Sequence, residues 1–169
     1  MILADKGFDG LQLELGEAGD TVIAAIIFED KATDNPRKFI REEVWPEFEA
    51  YDLGEEENML VAEVVSLLEK QNDIDPDEAI QNILWKEARS FRVSITIGGI
   101  HTGRRGRNRL FKGYKDTISG NVKRRRAETI YIENLRDWMA ALANKAINAV
   151  KEDALASGAT CLAGVICGR

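Results

Sequence analysis

Residues 9–31 read DGLQLELGEAGDTVIAAIIFEDK, and the pattern of these residues gives the strongest indication of secondary structure in the chain. Residues 11–15 alternate between apolar and polar side chains with period two, which is the pattern of a strand with one buried face. Residues 16–20, GEAGD, have the composition of a turn. Residues 21–28, TVIAAIIF, are apolar on both faces, as in a central strand that is covered on both sides. The stretch therefore predicts a β-hairpin.

Periodicity beyond the hairpin predicts alternating helices and strands. The fold class that follows is α/β, a small mixed β-sheet flanked by helices, in a single domain over residues 1–169. The predicted helices cover residues 37–51 with a kink at Pro46, residues 55–70, a segment that begins at the capping residue Asp75, and residues 126–156, while further strands are predicted at residues 91–97 and 161–167.

Composition and targeting signals restrict the class of protein. Hydrophobic residues make up 44% of the chain and charged residues 31%, which is near the globular average, so disorder is not expected. No apolar run reaches the ~18–20 residues that cross a bilayer, and the N-terminus lacks the pattern of a signal peptide. Cys161 and Cys167 are too few for a disulfide framework and poorly spaced for zinc. We expect a cytoplasmic protein with reduced thiols and no membrane contact.

Charge is distributed unevenly along the chain. The net charge is −6, yet residues 101–126 hold ten Lys or Arg side chains against one acid, about +9 by formal counting. Residues 99–126 are predicted to be a basic loop inserted in the domain. Cations neutralise phosphates, and Phe111 and Tyr114 could stack on bases. The cations predicted to bind nucleic acid are Arg104, Arg105, Arg107, Arg109, Lys112, Lys115, Lys123, Arg124, Arg125 and Arg126.

The basic loop has a simpler alternative explanation. The remainder of the chain is strongly acidic, so the loop could dock on the protein's own acidic helices or remain solvated. Residues 123–126 precede a predicted helix, where the helix dipole gives no reason for cations, and this favours binding. Because no recognition motif is present, contacts to the backbone of nucleic acid with little sequence specificity are expected.

The triplet Glu29-Asp30-Lys31 ends the apolar run of the second strand. Residues i and i+2 of a strand share one face, so Glu29 and Lys31 are neighbours, and the hairpin brings Asp9 beside them. Two carboxylates and the backbone carbonyl of Asp30 form a hard-oxygen site suited to Mg²⁺ or Mn²⁺. Lys31 could orient an attacking water and offset negative charge on a phosphate. The alternative is a structural salt bridge at a strand end.

These residues resemble the pattern of the PD-(D/E)xK nuclease superfamily, in which an acid at a strand start is followed by Glu/Asp-x-Lys on the next strand. The matching residues are Asp9, Glu29 and Lys31, in the settings GFDGLQLEL and VIAAIIFEDKAT. The resemblance covers about residues 5–45. It implies a restriction-endonuclease-like core, a divalent metal ion and hydrolysis of phosphodiester bonds. Around GFD and ExK the chain also looks similar to nuclease subunits of Hachiman-type anti-phage systems, which work beside a helicase.

Members of that superfamily usually carry a helix before the first strand, often with another active-site acid. Only eight residues precede Asp9. Three explanations stay open: a shortened chain, a part supplied by a partner such as a helicase subunit or a second copy of the chain, or substitution by Glu42 or Glu43. The function expected is a Mg²⁺-dependent nuclease acting on DNA or RNA in bacterial defence. The competing expectation is a non-catalytic interaction protein, such as a phage structural or adaptor subunit, that binds nucleic acid or an acidic partner through its basic segment.

Overall fold

The computed structural model describes residues 9–69 and 73–156, and the chain divides into two compact units, Met1–Tyr131 and Ile132–Arg169. The first unit contains a four-stranded mixed sheet, which confirms the α/β class and the mixed sheet. Its strands are β1 (Gly10–Leu15), β2 (Val22–Ala32), β3 (Arg89–Ile97) and β4 (Arg125–Tyr131).

The helices of the first unit fall between β2 and β3 and between β3 and β4. Short 3-10 helices (Lys86–Ala88, Gly99–His101 and Val122–Arg124) join some of them to the strands. The α-helices are α1 (Pro36–Phe39), α2 (Trp45–Leu53), α3 (Glu57–Leu68), α4 (Pro76–Leu84), α5 (Arg104–Leu110) and α6 (Tyr114–Thr117).

The strands lie in the order β1-β2-β3-β4, with β1 antiparallel to β2 and the other neighbours parallel. The predicted hairpin is confirmed. Gly10 lies opposite Phe28, and a Cβ at Gly10 would come within 2.3 Å of the Phe28 ring, so this position has no room for a side chain. Strand β2 continues through the charged triplet to Ala32, where it still pairs with Thr96 of β3.

One face of the sheet carries the hydrophobic core. Alternate residues of β3, from Arg89 to Ile97, are buried, and the residues between them are half-exposed, as the two-residue period of a strand requires. Leu60 and Val64 of α3 and Ile83 of α4 are fully buried in the same cluster. Burial of these apolar side chains is the main source of stability, at about 25 cal/mol per Å² removed from water.

The helix predicted over residues 37–51 is interrupted by a π-helical turn, Ile40–Val44, between α1 and α2. Pro46 explains this turn, because proline has no N–H to donate and its ring clashes with the carbonyl of residue i−4. The N–H of Trp45 reaches back five residues to the carbonyl of Ile40. A wider turn of this kind often occurs at functional sites.

Two predictions of secondary structure were wrong. Residues 125–131 form β4 instead of the start of the long helix, which begins at Leu135. Pairing along β3 outweighs the helix propensity of Arg, Ala and Glu in this segment. The segment 99–126 is largely helical instead of a loop. The strand predicted at residues 161–167 lies outside the described residues.

The second unit contains one described helix, α7 (Leu135–Ala156). It confirms most of the long C-terminal helix predicted from the sequence. None of the helices in the described part of the chain combines the length and the apolar character required to cross a bilayer.

Candidate active site

Asp9, Glu29 and Lys31 lie together where the start of β1 meets the end of β2. Gly10 pairs with Phe28 in the antiparallel register, so the next pair outward is Asp9 and Glu29. The Nζ atom of Lys31 lies 2.6 Å from Oδ1 of Asp9 and 3.1 Å from Oε1 of Glu29. The ammonium group therefore bridges two carboxylates from neighbouring strands. These three residues are called the triad below.

The triad is also tied to the backbone of both strands. The N–H of Asp30 donates to Oδ2 of Asp9 at 3.0 Å, and the N–H of Asp9 donates to Oε2 of Glu29 at 3.2 Å. Each of the four carboxylate oxygens thus has one partner inside the triad and its strands. Since a carboxylate oxygen carries two lone pairs, each oxygen can still accept from another ligand. On the opposite face of β2, the Asp30 carboxylate pairs with Arg92 at 3.3 Å.

Burial and ion pairing have opposite effects on the pKa values of Glu29 and Lys31. Only 4% of Glu29 is exposed. Burial raises the pKa of Glu29, and the hydrogen bond from Lys31 offsets only part of that effect. Burial lowers the pKa of Lys31, but hydrogen bonds to Asp9 and Glu29 outweigh it, so the pKa of Lys31 lies above its ordinary value. The lysine therefore keeps its charge at neutral pH.

A cavity of about 750 Å³ opens beside the triad. Among the described residues that line it, several elements supply carboxylates and Lys31 supplies the single ammonium group. Such a cavity attracts cations and repels a phosphate unless a cation compensates. The residues that line the cavity are Glu29, Lys31, Glu42, Glu43, Glu47, Ala50, Tyr51 and Glu56.

Sequence reasoning named Glu42 and Glu43 as possible substitutes for a missing acid, and the structure places both in the lining of this cavity. It did not name Glu47, one helical turn after Glu43. A signal existed in the i, i+4 spacing of residues 43 and 47, which puts both on one helix face. Burial raises the pKa of Glu47 to about 7, with further contributions from the carboxylates of Glu29 and Asp9.

The donors of the triad fit a hard divalent cation. Within residues 9–69 and 73–156, no three His, Cys, Asp or Glu side chains are grouped closely enough to hold a metal ion by themselves. Asp9 and Glu29 supply two carboxylates, however, and Mg²⁺ is commonly held in proteins by one or two carboxylates together with water and substrate phosphates. The residues present therefore suit a magnesium or manganese ion completed by its substrate.

The basic segment 99–126 is packed against the helix that carries the cavity acids. Nη1 of Arg37 donates to the carbonyls of Leu110 and Lys112, at 3.1 and 2.9 Å. The indole N–H of Trp45 also donates to the Lys112 carbonyl, at 3.3 Å. Tyr114 stacks on Trp45 with 4.5 Å between the ring centroids. The segment is therefore an ordered part of the first unit.

The cations of the basic segment divide into two groups. Arg124 is 5% exposed and forms an ion pair with Asp52, so its charge serves the fold. Arg125 is half-buried and donates to the carbonyl of Ile118. The exposed cations are Arg104, Arg105, Arg107, Arg109, Lys112, Lys115, Lys123 and Arg126.

The prediction that bases could stack on Phe111 and Tyr114 was wrong for Tyr114. Its side chain is 6% exposed, and its hydroxyl donates to the carbonyl of Phe91 at 2.6 Å. Phe111 is half-buried and packs against the core. Since neither ring is freely exposed, what the surface of this segment offers a ligand is chiefly its positive charge.

Helix α5 follows β3 in the chain, and β3 ends beside the strand that carries Glu29 and Lys31. In the parallel register Lys31 lies beside Ile95, two residues before β3 ends at Ile97. A 3-10 turn then leads directly into α5, which begins at Arg104. Ligands of open α/β sheets bind at the carboxyl ends of parallel strands, which is where Glu29 and Lys31 of β2 lie.

Comparison of the chain with protein-family models, with curated proteins and with solved structures gave no match in any of the three. The candidate site therefore rests on its own geometry and chemistry.

Proposed function

We propose that the protein is a nuclease of the PD-(D/E)xK type that depends on a divalent metal ion. The observation that carries the proposal is the triad, in which Lys31 lies within 3.1 Å of carboxylates on two strands beside an acidic cavity. The antiparallel hairpin followed by a parallel strand agrees with the mixed sheet that the resemblance implies. The proposal includes a restriction-endonuclease-like core for the first unit.

The residues of the triad have separate roles in this proposal. Asp9 and Glu29, with the backbone carbonyl of Asp30, hold Mg²⁺ or Mn²⁺. When bound, the ion acts as a Lewis acid towards the scissile phosphate and neutralises part of its charge. Lys31 orients the attacking water and stabilises negative charge that develops on the phosphate oxygens. The charge of the cavity supports a metal ion, because a phosphate would otherwise meet an excess of carboxylates.

The substrate in this proposal is the sugar–phosphate backbone of DNA or RNA. The exposed arginines at residues 104, 105, 107 and 109 would neutralise backbone phosphates on the edge of the sheet that carries the triad. Contacts of this kind position a nucleic acid without reading its sequence. Little sequence specificity is therefore expected.

The proposal is tested first by metal binding and then by cleavage. Titration calorimetry with Mg²⁺ and Mn²⁺ should detect binding to the wild type and loss of binding in Glu29→Gln, which keeps the side-chain shape. Glu14→Gln, an exposed acid of β1, is the matched control and should bind metal normally. Cleavage of single- and double-stranded DNA and RNA should fall by about 10²-fold or more in Lys31→Ala. Wild-type cleavage rates in both Glu29→Gln and Lys31→Ala would refute the proposal.

A second candidate function is supported by the pairing within the triad. All four carboxylate oxygens already accept hydrogen bonds, as they would in a purely structural salt bridge. The protein would then be a non-catalytic interaction protein that uses its basic segment. Absence of metal binding, together with loss of nucleic-acid binding on charge reversal at Arg104 and Arg105, would favour it. Metal binding without cleavage would instead indicate a nuclease that requires a partner, such as a helicase subunit.

A further inference from the structure

Glu47 differs from the other acids around the cavity. Its Oε1 atom is buried, and no hydrogen-bond partner for it is present among the described residues. A buried carboxylate oxygen without a partner is costly, and each case in a folded protein calls for an explanation. The side chain lines the same cavity as Glu29 and Lys31. Glu47 therefore presents a half-buried side chain to the cavity into which a substrate of the triad would enter.

The helix holds Glu47 in this position. Val44, Phe48 and Tyr51 surround it at i−3, i+1 and i+4, and each is 1% exposed or less. These neighbours anchor that side of α2 in the core, so Glu47 cannot turn fully to solvent. Glu49, two residues further along, is exposed and does not line the cavity. The burial of Glu47 is thus a property of its place on the helix.

The surroundings of Glu47 suit proton exchange near neutral pH. Burial raises its pKa to about 7, the carboxylates of Glu29, Asp9 and Glu56 add to the shift, and the ammonium group of Lys31 opposes it. A general base is most effective when its pKa lies near the working pH. A metal-ligand role fits less well, because the described residues contain no group of three acids close enough to share an ion.

We infer that Glu47 holds the attacking water in the cavity and accepts its proton, in the nuclease reaction proposed above, on which this inference rests. The water oxygen forms a bond to phosphorus while its proton passes to a carboxylate oxygen of Glu47. The bond from phosphorus to the leaving sugar oxygen breaks, and that oxygen takes a proton from solvent. Glu47 then returns its proton to solvent. Lys31 holds the water from the side of the triad.

Glu47→Gln tests the inference, because the amide keeps the shape of the side chain and cannot accept the proton. We expect kcat to fall by about 10²-fold or more, which is the usual contribution of a general base. KM for the nucleic acid and the affinity for Mg²⁺ should stay within about twofold, because positioned proton transfer acts on the chemical step. The melting temperature should not fall. The matched control Glu49→Gln should retain the wild-type kcat.

Glu47→Asp provides a second variant that keeps the carboxylate but shortens its reach. Its kcat should lie between those of the wild type and Glu47→Gln. A kcat within about threefold of wild type in Glu47→Gln would overturn the inference and leave the proposed nuclease intact. Loss of Mg²⁺ binding in Glu47→Gln would also overturn it, since Glu47 would then be a metal ligand. A wild type that neither binds Mg²⁺ or Mn²⁺ nor cleaves nucleic acid would overturn the proposed function and this inference together.

Discussion

Glu29 and Asp52 are two carboxylates that are equally hidden from solvent, each 4% exposed, but their surroundings differ. Each oxygen of Asp52 has its own cation, Arg124 on Oδ1 and Lys86 on Oδ2 at 2.8 Å. Arg124 is itself buried, and its Nε donates to the backbone carbonyl of Arg89 at 2.8 Å. The Asp52 cluster thus joins the end of α2 to the start of β3.

Within the described part of the chain, Glu29 forms an ion pair with one cation, Lys31, which it shares with Asp9. Its neighbourhood includes the half-buried side chain of Glu47 and opens on the cavity. Burial of a charge therefore does not by itself identify a functional site. A more specific signal is a buried carboxylate that lies beside a cavity and whose charge is only partly neutralised by neighbouring cations. Such a carboxylate can still bind a ligand.

The largest effect is expected from removing one partner of the Asp52 pair. Arg124→Met keeps much of the side-chain volume but leaves Asp52 buried with Lys86 alone. We expect the free energy of unfolding to fall by about 3–5 kcal/mol, the usual cost of breaking a buried ion pair. Urea unfolding without added metal measures it.

Lys31→Met is the matched variant in the triad. The Lys31 side chain is 38% exposed, so water screens the pair and Glu29 can take up a proton. A loss on the order of 1 kcal/mol is expected. Equal losses in Arg124→Met and Lys31→Met would show that the two clusters have the same structural role, and the distinction between them would fail.

An effect smaller than that of Arg124→Met is expected from Glu47→Gln as the pH changes. Because the pKa of Glu47 is raised from 4.5 to about 7, its contribution to stability is fully present below pH 4.5 and is lost as pH rises through about 7. Glutamine does not titrate. Glu47→Gln should therefore gain stability relative to wild type between pH 5 and pH 8.5, by about 1–2 kcal/mol after allowance for the partial exposure of the group. A pH-independent difference in urea unfolding would contradict the raised pKa. Glu49→Gln is the control.

The hairpin and the convergence of the triad could be predicted because short-range patterns determine them. Period-two alternation specified which face of each strand is buried, and a five-residue turn specified the register. Once the hairpin forms, Asp9 must lie beside Glu29. Asp75 was recognised as a helix cap for the same reason, since its side chain accepts the backbone N–H of Asp77 at 2.9 Å.

The features that the sequence did not predict depend on interactions between residues that are distant in sequence. Strand β4 is stabilised by pairing with β3, and the sequence RRAETIY contains no pattern that predicts this pairing. Arg124 reads as one of four consecutive cations, yet it pairs with Asp52, which lies 72 residues earlier. Glu47 reads as one more acid on a helix. Its partial burial beside the triad becomes apparent only when the helix is placed over the sheet.

The smallest effect on stability is expected at the exposed cations of α5. Unlike the buried Arg124, these side chains do not pack in the core. If Arg104 and Arg105 bind backbone phosphates, replacing each with alanine removes a counterion-release contribution. The slope of log Kd against log salt for double-stranded DNA should then decrease by about 0.9 for each phosphate that is no longer neutralised. Lys145→Ala, an exposed cation of α7, is the control and should leave the slope unchanged. An unchanged slope in the double variant would mean that these arginines do not bind phosphates, and the DNA path would have to lie elsewhere on the protein. Stability should hardly change, because surface charges of this kind contribute little to folding.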